Sequence, residues 1–199
     1  MRTVVKRVRG AYFCYPIRPG ILQATAYFSQ AAKEAGVDCI VNMSQKSARE
    51  DANSHAAQDH WLSEQVFDWS GITVTHLRPT YFAEWLLYLA PMIGTGLLHL
   101  PFGTGRHAPI AAELSYAEVA EIASRVLGTQ ITYQQANVDA FAESLGQTGN
   151  ALFKEHCRAV AVELQEGVFA GTNSLAAQIS GRQPMTVEEF VTKNRNIFI

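Results

Sequence analysis

Charge is scarce in this 199-residue chain. Asp, Glu, Lys and Arg make up 17% of it, against 48% hydrophobic residues. That balance excludes a disordered chain and suffices for one domain with a core and a smaller lobe. Neither sign of charge accumulates: the formal net charge is −2 and the 16 basic residues are scattered. No face reads as a nucleic-acid footprint, so no nucleic-acid partner is expected. The cluster Lys6, Arg7 and Arg9 is short and terminal, and reads as a solvated end. Long hydrophobic runs are missing as well. The longest, such as Trp85 to Ile93, are too short to span a bilayer. No charged, apolar, small-residue leader opens the chain. Cysteine is sparse and odd in number: Cys14, Cys39 and Cys157 stand far apart, with no CxxC pair. Cys14 and Cys39 fall in apolar runs that read as buried strands, where Cys acts as a small hydrophobe. A cytoplasmic location is the expectation. The histidines have no HExxH or other tight ligand spacing, so no metal site is expected.

What the chain does have is alternation of two kinds of segment. Gly10 to Pro16, GAYFCYP, is aromatic and apolar and stops at a proline, which predicts a buried strand ending in a loop. Ile21 to Ala35 puts Ile21, Ala24, Tyr27, Phe28, Ala31, Ala32 and Ala35 at helical spacing, with Gly36 where a helix end wants it. Val37 to Met43 is a second apolar run. His55 to Ser70 predicts a helix with Trp61, Leu62, Val66 and Phe67 on one face, ended by Gly71. Ile72 to Leu77 is a third strand, rich in β-branched residues, closed by Arg78-Pro79. Strand, helix, strand, helix, strand with short connections implies consecutive parallel strands in an α/β sheet.

The remainder reads as mostly helical. Phe82 to Met92 predicts one amphipathic helix, and Leu98 to Ile110 a loop. Ser115 with Glu118 forms a capping box before a helix ending at Gly128. Ile131 to Tyr133 reads as a short strand. Val138 to Leu145, Leu152 to Phe169 and Ser174 to Ile179 read as helices. Thr186 with Glu189 is a second capping box, opening a last helix that runs to about Arg195. A boundary is expected near residue 113, with an α/β domain over 1–113 and a helical lobe over 114–199.

In open parallel sheets, ligands sit beyond the carboxyl ends of the strands. Those ends are Tyr15-Pro16, Met43-Ser44-Gln45 and Arg78-Pro79-Thr80-Tyr81. Each brings polar or ring-bearing residues straight after an apolar run, which points to a site. The alternative is that polarity simply resumes where a strand stops. His60 and Glu64, one helical turn apart, can meet, and a carboxylate there would orient the ring and favour its charged form. The alternative is a surface pair with no role.

Four stretches in order resemble the NmrA-like branch of the atypical short-chain dehydrogenase/reductases. GAYFCYPIRPG is similar to the family's fourth strand and following loop. AAKEAGVDCIVNMSQ is similar to its AAKEAGV-x-x-IV-x-x-S segment. His60 to Glu64, then Ser70-Gly71 and ITVTHLRPTYFAEWLL, resemble the H/K-x-x-x-E, SG and LRP-x-x-F-x-E-x-LL pieces. GRQPMTVEEF resembles the tail. The resemblance implies a Rossmann-like parallel sheet with flanking helices, a smaller helical lobe, and NADP (or NAD) as cofactor. It also implies a small quinone-like or carbonyl substrate. Under it, Tyr15 and Pro16 border the dinucleotide. Ser44 and Gln45 follow the fifth strand, where the wider superfamily often has its catalytic serine. His60 stands near where many relatives place a lysine that touches the nicotinamide ribose. Pro79, Thr80, Tyr81 and Phe82 line the nicotinamide and substrate side. His60 and Tyr81 are the implied catalytic residues. Trp85 lies where relatives often carry Asn, making that pocket edge more apolar.

Two departures stand against the family pattern. No tyrosine has a lysine four positions on, so the YxxxK acid of ordinary members is absent. A hydride-donating reductase can do without it on a quinone-like electrophile, and a nucleotide sensor needs no acid at all. The glycine-rich phosphate cradle is also missing. MRTVV resembles the start of the family's first strand but runs directly into the stretch that resembles the fourth. Gly103-Thr104-Gly105-Arg106-His107-Ala108 fits G-x-G-x-x-A, but no strand of useful length precedes it, and it reads as a surface loop. At the second join, Pro109 to Glu113 passes straight into the next helix. Either the protein is short at both joins or the sequence omits segments of a longer one; an intact mass near 21.9 kDa would favour the short form. With the first three strands absent, Gly10 to Pro16 becomes an apolar sheet edge, which another chain, as in a homodimer, or a terminal segment is expected to cover. The expected function is an NAD(P)H-dependent reductase. The alternatives are a nucleotide-sensing regulator without turnover and a cofactor-free interaction protein.

Overall fold

The structure, a computed structural model, describes residues 8–109 and 112–199. The stretch resembling a first strand, Met1 to Val5, lies outside the described residues, as do Lys6, Arg7 and the Ile110-Ala111 step of the second join. The chain divides into two compact units, Met1–Pro79 and Thr80–Ile199.

In the first unit, β1 (Gly10–Phe13), β2 (Cys39–Met43) and β3 (Thr73–Leu77) form a parallel sheet in that order. The crossovers are α1 (Ile21–Ala35) and α2 (His55–Trp69). The expected strand-helix alternation is what the chain adopts. Gly36 ends α1 at φ 70°, a left-handed conformation that costs a residue without Cβ little. Ser54 opens α2 by accepting a hydrogen bond from the Ala57 N–H.

Alternate residues of the sheet meet different surroundings. Phe13 and Ile40 are buried with Ala31, Ala32, Val37 and Phe67. The Phe13 ring lies 5.0 Å from Phe28 and 5.2 Å from Phe67. The other set, with Tyr12, Cys39, Thr73, Thr75 and Leu77, is exposed. The strand Gly10 to Pro16 was expected to be buried, yet only Phe13 of β1 is. Among the described residues β1 pairs with β2 alone, so it stands at the sheet edge. Cys14 and Cys39 are exposed rather than buried, Cys39 because it lies on the exposed face of the central strand; Cys157 is the buried one.

The expected face of α2 also needs correction. Of Trp61, Leu62, Val66 and Phe67 only Phe67 is buried, and the inward residues are Ala57, His60, Ser63, Glu64 and Phe67. Polar groups go inward because they find partners there. Thr25 and Ser63 hydroxyls bond at 2.8 Å between α1 and α2, and Glu64 holds an arginine.

The second unit has a two-stranded parallel sheet, β4 (Leu97–Leu100) beside β5 (Thr132–Gln135). The loop expected from Leu98 instead begins in β4, whose four residues, bounded by Gly96 and Pro101, are too short a run for periodicity to register. The helix expected over Phe82 to Met92 is two short ones, α3 (Trp85–Tyr88) and α4 (Ala90–Gly94). Pro91 sits in the first turn of α4, where its missing N–H costs nothing but forbids continuation from α3. Both capping boxes are present, on α5 (Tyr116–Leu127) and, after α6 (Val138–Ser144), α7 (Ala151–Gln165) and α8 (Leu175–Ser180), on α9 (Val187–Lys193). Helix α7 stops short of the expected Phe169, and Gly167 follows it at φ 75°. A final turn, α10 (Arg195–Phe198), closes the described chain. The core here gathers Leu86, Leu98, Leu100, Val119, Phe141 and Val191.

Candidate functional site

Because the three strands of the first unit are parallel and in register, Phe13, Asn42 and His76 lie side by side, and the carboxyl ends share one edge. Beyond β1, the Tyr15 hydroxyl donates to the Pro19 carbonyl at 3.3 Å, and the Arg18 guanidinium lies 5.4 Å from the centre of its ring. Pro16 is exposed. Beyond β2 the ladder continues: Ser44 N–H donates to the Leu77 carbonyl and Lys46 N–H to the Pro79 carbonyl, both at 2.8 Å. Ser44 and Gln45 therefore run alongside Arg78 and Pro79. On this short loop the Ser44 hydroxyl, the Gln45 side-chain amide nitrogen and the Ser47 hydroxyl are buried with no hydrogen-bond partner among the described residues. Leaving a buried polar group unpaired costs about 1–3 kcal/mol, so three on one loop make it a candidate place for a ligand.

His60 and Glu64 are both buried, 5% and 1% exposed, so the surface-pair reading is excluded. Glu64 takes Arg78 through both carboxylate oxygens, with Nε to Oε1 at 2.9 Å and Nη2 to Oε2. Nearby, Asn42 Nδ2 donates to His76 Nδ1 at 3.0 Å, and His76 Nε2 donates to Asp68 at 3.1 Å, linking both strands to α2. Sequence reasoning missed Ser47 and the Glu64–Arg78 pair. The 14-residue separation of that pair follows from a helix folding back over a strand, and no local pattern encodes it.

In the second unit, the Thr80 hydroxyl donates to the Ala108 carbonyl at 2.6 Å, and the Tyr81 hydroxyl lies 2.8 Å from His107 Nε2. The His107 ring stacks on Tyr116 with centres 4.3 Å apart. Burial pulls the His107 imidazole down to about 4, helped by the neighbouring Arg106 charge, and so keeps it neutral at pH 7. Burial also pushes the Tyr81 and Tyr116 phenols well up. Tyr81 is thus held protonated in an aromatic cluster, with His107 as its partner from 26 positions along the chain. Neither His107, which lies in the stretch that reads as a surface loop, nor Tyr116, which follows a cap residue, stands out as a site residue from sequence. Phe82 and Trp85 are exposed, and Trp85 pairs with Tyr88 at 5.7 Å.

The G-x-G-x-x-A stretch is not a phosphate cradle. It follows β4 after all, but no helix starts at its glycines. Gly103 sits at φ 61°, and a Cβ on Gly105 would strike the Leu164 carbonyl. The space beside these glycines is filled by α7, not left for a ligand. Nor is the stretch wholly superficial, since Gly103 and His107 are buried. Among the described residues no group of three or more His, Cys, Asp or Glu could hold a metal ion, and no helix is long and apolar enough to cross a membrane.

No protein-family model matches the chain, and no curated protein matches it. Solved structures do. An NADPH-dependent quinone oxidoreductase from Escherichia coli, complexed with NADPH, superimposes with a TM-score of 0.84 at 19% identity, over 98% of this chain and 79% of that one. A nucleoside-diphosphate-sugar epimerase from Staphylococcus aureus gives 0.81 at 19% identity, over 96% and 78%. A mutant NmrA gives 0.71 at 15% identity, over 96% and 75%. At such identities the likeness is one of fold. The chain has the Rossmann-like α/β fold shared by these proteins, the fold that the NmrA-like resemblance implies.

Proposed function

We propose that this chain is an NAD(P)H-dependent reductase of the NmrA-like type, with NADP as the favoured cofactor and a small quinone-like or carbonyl substrate. The observation that carries the reading is the loop after β2. Three buried polar side-chain groups without partners among the described residues, on Ser44, Gln45 and Ser47, sit at the carboxyl edge of a parallel sheet. That is where the fold class takes its ligands. The structural neighbour complexed with NADPH supports the choice of cofactor.

The buried hydroxyls and amide fit the nicotinamide end of a dinucleotide, which offers acceptor and donor groups to pair with them. The reduced nicotinamide supplies the hydride when bound. Tyr15 and Pro16 would flank the dinucleotide; Ser44, Gln45 and His60 would hold its nicotinamide and ribose. Pro79, Thr80, Tyr81 and Phe82 would border the substrate. His60 and Tyr81 are assigned to proton handling, since hydride addition to a carbonyl or quinone leaves an anionic oxygen that must gain a proton. The Tyr81 hydroxyl, 2.8 Å from His107 Nε2, is the assigned proton donor. A quinone-like acceptor asks little of such an acid, which accords with the missing YxxxK. A boundary near residue 113 would separate β4 from its partner β5, so we assign the dinucleotide side to the unit ending at Pro79 and the substrate side to the unit from Thr80 on.

A nucleotide-sensing regulator without turnover is the second reading, favoured by that same absence of YxxxK. NADPH titration followed by NADPH oxidation against a quinone panel separates the two. Oxidation that depends on a quinone supports the reductase; tight binding without oxidation supports the sensor.

A further inference from the structure

In the second unit, two neighbouring residues of one segment meet two neighbours of another. The Thr80 hydroxyl bonds the Ala108 carbonyl, and the Tyr81 hydroxyl meets His107 Nε2. The second segment is pinned by its own backbone. The His107 N–H donates to the Leu114 carbonyl at 2.9 Å, and the Leu114 N–H donates to the His107 carbonyl at 2.7 Å. The Ala108 N–H donates to the Phe169 carbonyl at 3.1 Å. The His107 ring is 1% exposed and stacked on Tyr116, so it is held in place beside Tyr81. Of Tyr81, His107 and Tyr116, only Tyr81 is partly exposed. Tyr133, on the other side of Tyr116, commits its hydroxyl to the Gly103 carbonyl at 2.8 Å.

A neutral imidazole has one N–H and one bare nitrogen, so the contact with Tyr81 can run either way. If Tyr81 donated, Nε2 would be bare and Nδ1 would carry the proton. Nδ1 is buried with no hydrogen-bond partner among the described residues. Buried N–H groups left without an acceptor are rarer than buried acceptors left short of a donor. Nδ1 is therefore the bare nitrogen, and Nε2 carries the hydrogen. We infer that His107 is a positioning residue for Tyr81: its Nε2–H donates to the Tyr81 oxygen, which leaves the Tyr81 proton for the substrate. The inference rests on the reductase reading. The carbonyl carbon of the substrate gains hydride from the reduced nicotinamide, and its π pair moves to oxygen. That oxygen takes the Tyr81 proton, while the O–H bond pair stays on the phenolate. The His107 N–H steadies the phenolate through the same hydrogen bond, and water returns the proton after product leaves. Tyr116 acts in the same sense: burial raises the Tyr81 phenol, and a hydrogen bond from the Tyr116 side chain draws it the other way.

Two readouts on the whole chain test this. The first is nitrogen-15 magnetic resonance of histidine-labelled protein at pH 7, with the His107 signals identified by their loss in His107→Gln. Nδ1 is expected where bare imidazole nitrogens resonate and Nε2 where protonated ones do; a protonated Nδ1 overturns the inference whatever the turnover. The second is NADPH oxidation on a carbonyl acceptor, which draws on the proton, and on a quinone acceptor, which asks less of an acid. His107→Phe keeps a ring beside Tyr116 and removes the donor. Its kcat on the carbonyl should fall about tenfold, with little change in KM or on the quinone. His107→Gln offers an amide N–H and should recover most of the loss, and circular dichroism checks the fold of both. Parent-like carbonyl turnover in His107→Phe, or an equal loss on both acceptors, overturns the inference and leaves the reductase reading intact. Parent turnover on the quinone alone does the same, since no acceptor then draws on the Tyr81 proton. No parent turnover on either acceptor overturns the reductase reading, and the role in proton delivery with it.

Discussion

Glu64 shows how much hangs on single partners. It is 1% exposed and its carboxylate is held by Arg78. Arg78→Ala leaves that charge buried and unpaired, which for a fully buried pair costs about 3–5 kcal/mol; the half exposure of Arg78 discounts this to about 2–3 kcal/mol. Urea unfolding should show the loss, and adding Glu64→Gln should recover part of it. No recovery would mean that the pair is not what holds this corner. His107 makes a second prediction. Its folded value, about 4, lies below the ordinary 6.5. The neutral ring's contribution is therefore complete above pH 6.5 and is lost as pH falls from there through 4, to a total of about 3 kcal/mol. Stability curves at pH 7, 5.5 and 4 should fall accordingly, and His107→Phe should flatten the fall. An equally steep fall in that variant would place the acid sensitivity elsewhere. The sequence made Ser44, Gln45, His60 and Tyr81 legible as residues at strand ends or in family stretches. The surroundings of Tyr81 were not legible, because His107 and Tyr116 arrive through tertiary packing that no spacing rule encodes, and the same holds for Arg78 on Glu64.

At the level of elements, local chemistry was the better guide. The capping boxes at Ser115 and Thr186 form as their spacing requires, since the side chains satisfy donors only a turn away. Ser115→Ala should cost about 1 kcal/mol, read as a drop in melting temperature, and Ser115→Asp should restore most of it. Helix α2 was placed correctly but its inward face was not, because hydrophobicity alone cannot anticipate that Ser63 and Glu64 find buried partners. Strand β4 escaped notice because four residues are too few for a period. Pro91 divided a helix that its apolar spacing had joined. Gly105 was expected in a surface loop; against the Leu164 carbonyl, Gly105→Ala should destabilise by about 1–3 kcal/mol.

Over the whole molecule, the parallel order β1-β2-β3 and the separation into two units give the chain a Rossmann-like frame, in which structures of reductases and of NmrA superimpose. The first unit was readable because strand-helix alternation with short connections leaves few topologies. The exposed face of its sheet, with Tyr12, Cys14 and Cys39, was not: apolar runs look the same whether one face or two are covered. The account's central claim is that the carboxyl edge of this sheet serves an NAD(P)H-dependent reductase. The most direct measurement is NADPH oxidation followed at 340 nm with and without a naphthoquinone acceptor. Saturable oxidation that requires the quinone, and that falls at least tenfold in Ser44→Ala/Gln45→Ala, is the predicted result; no oxidation above the protein-free rate with any quinone or carbonyl acceptor would contradict it.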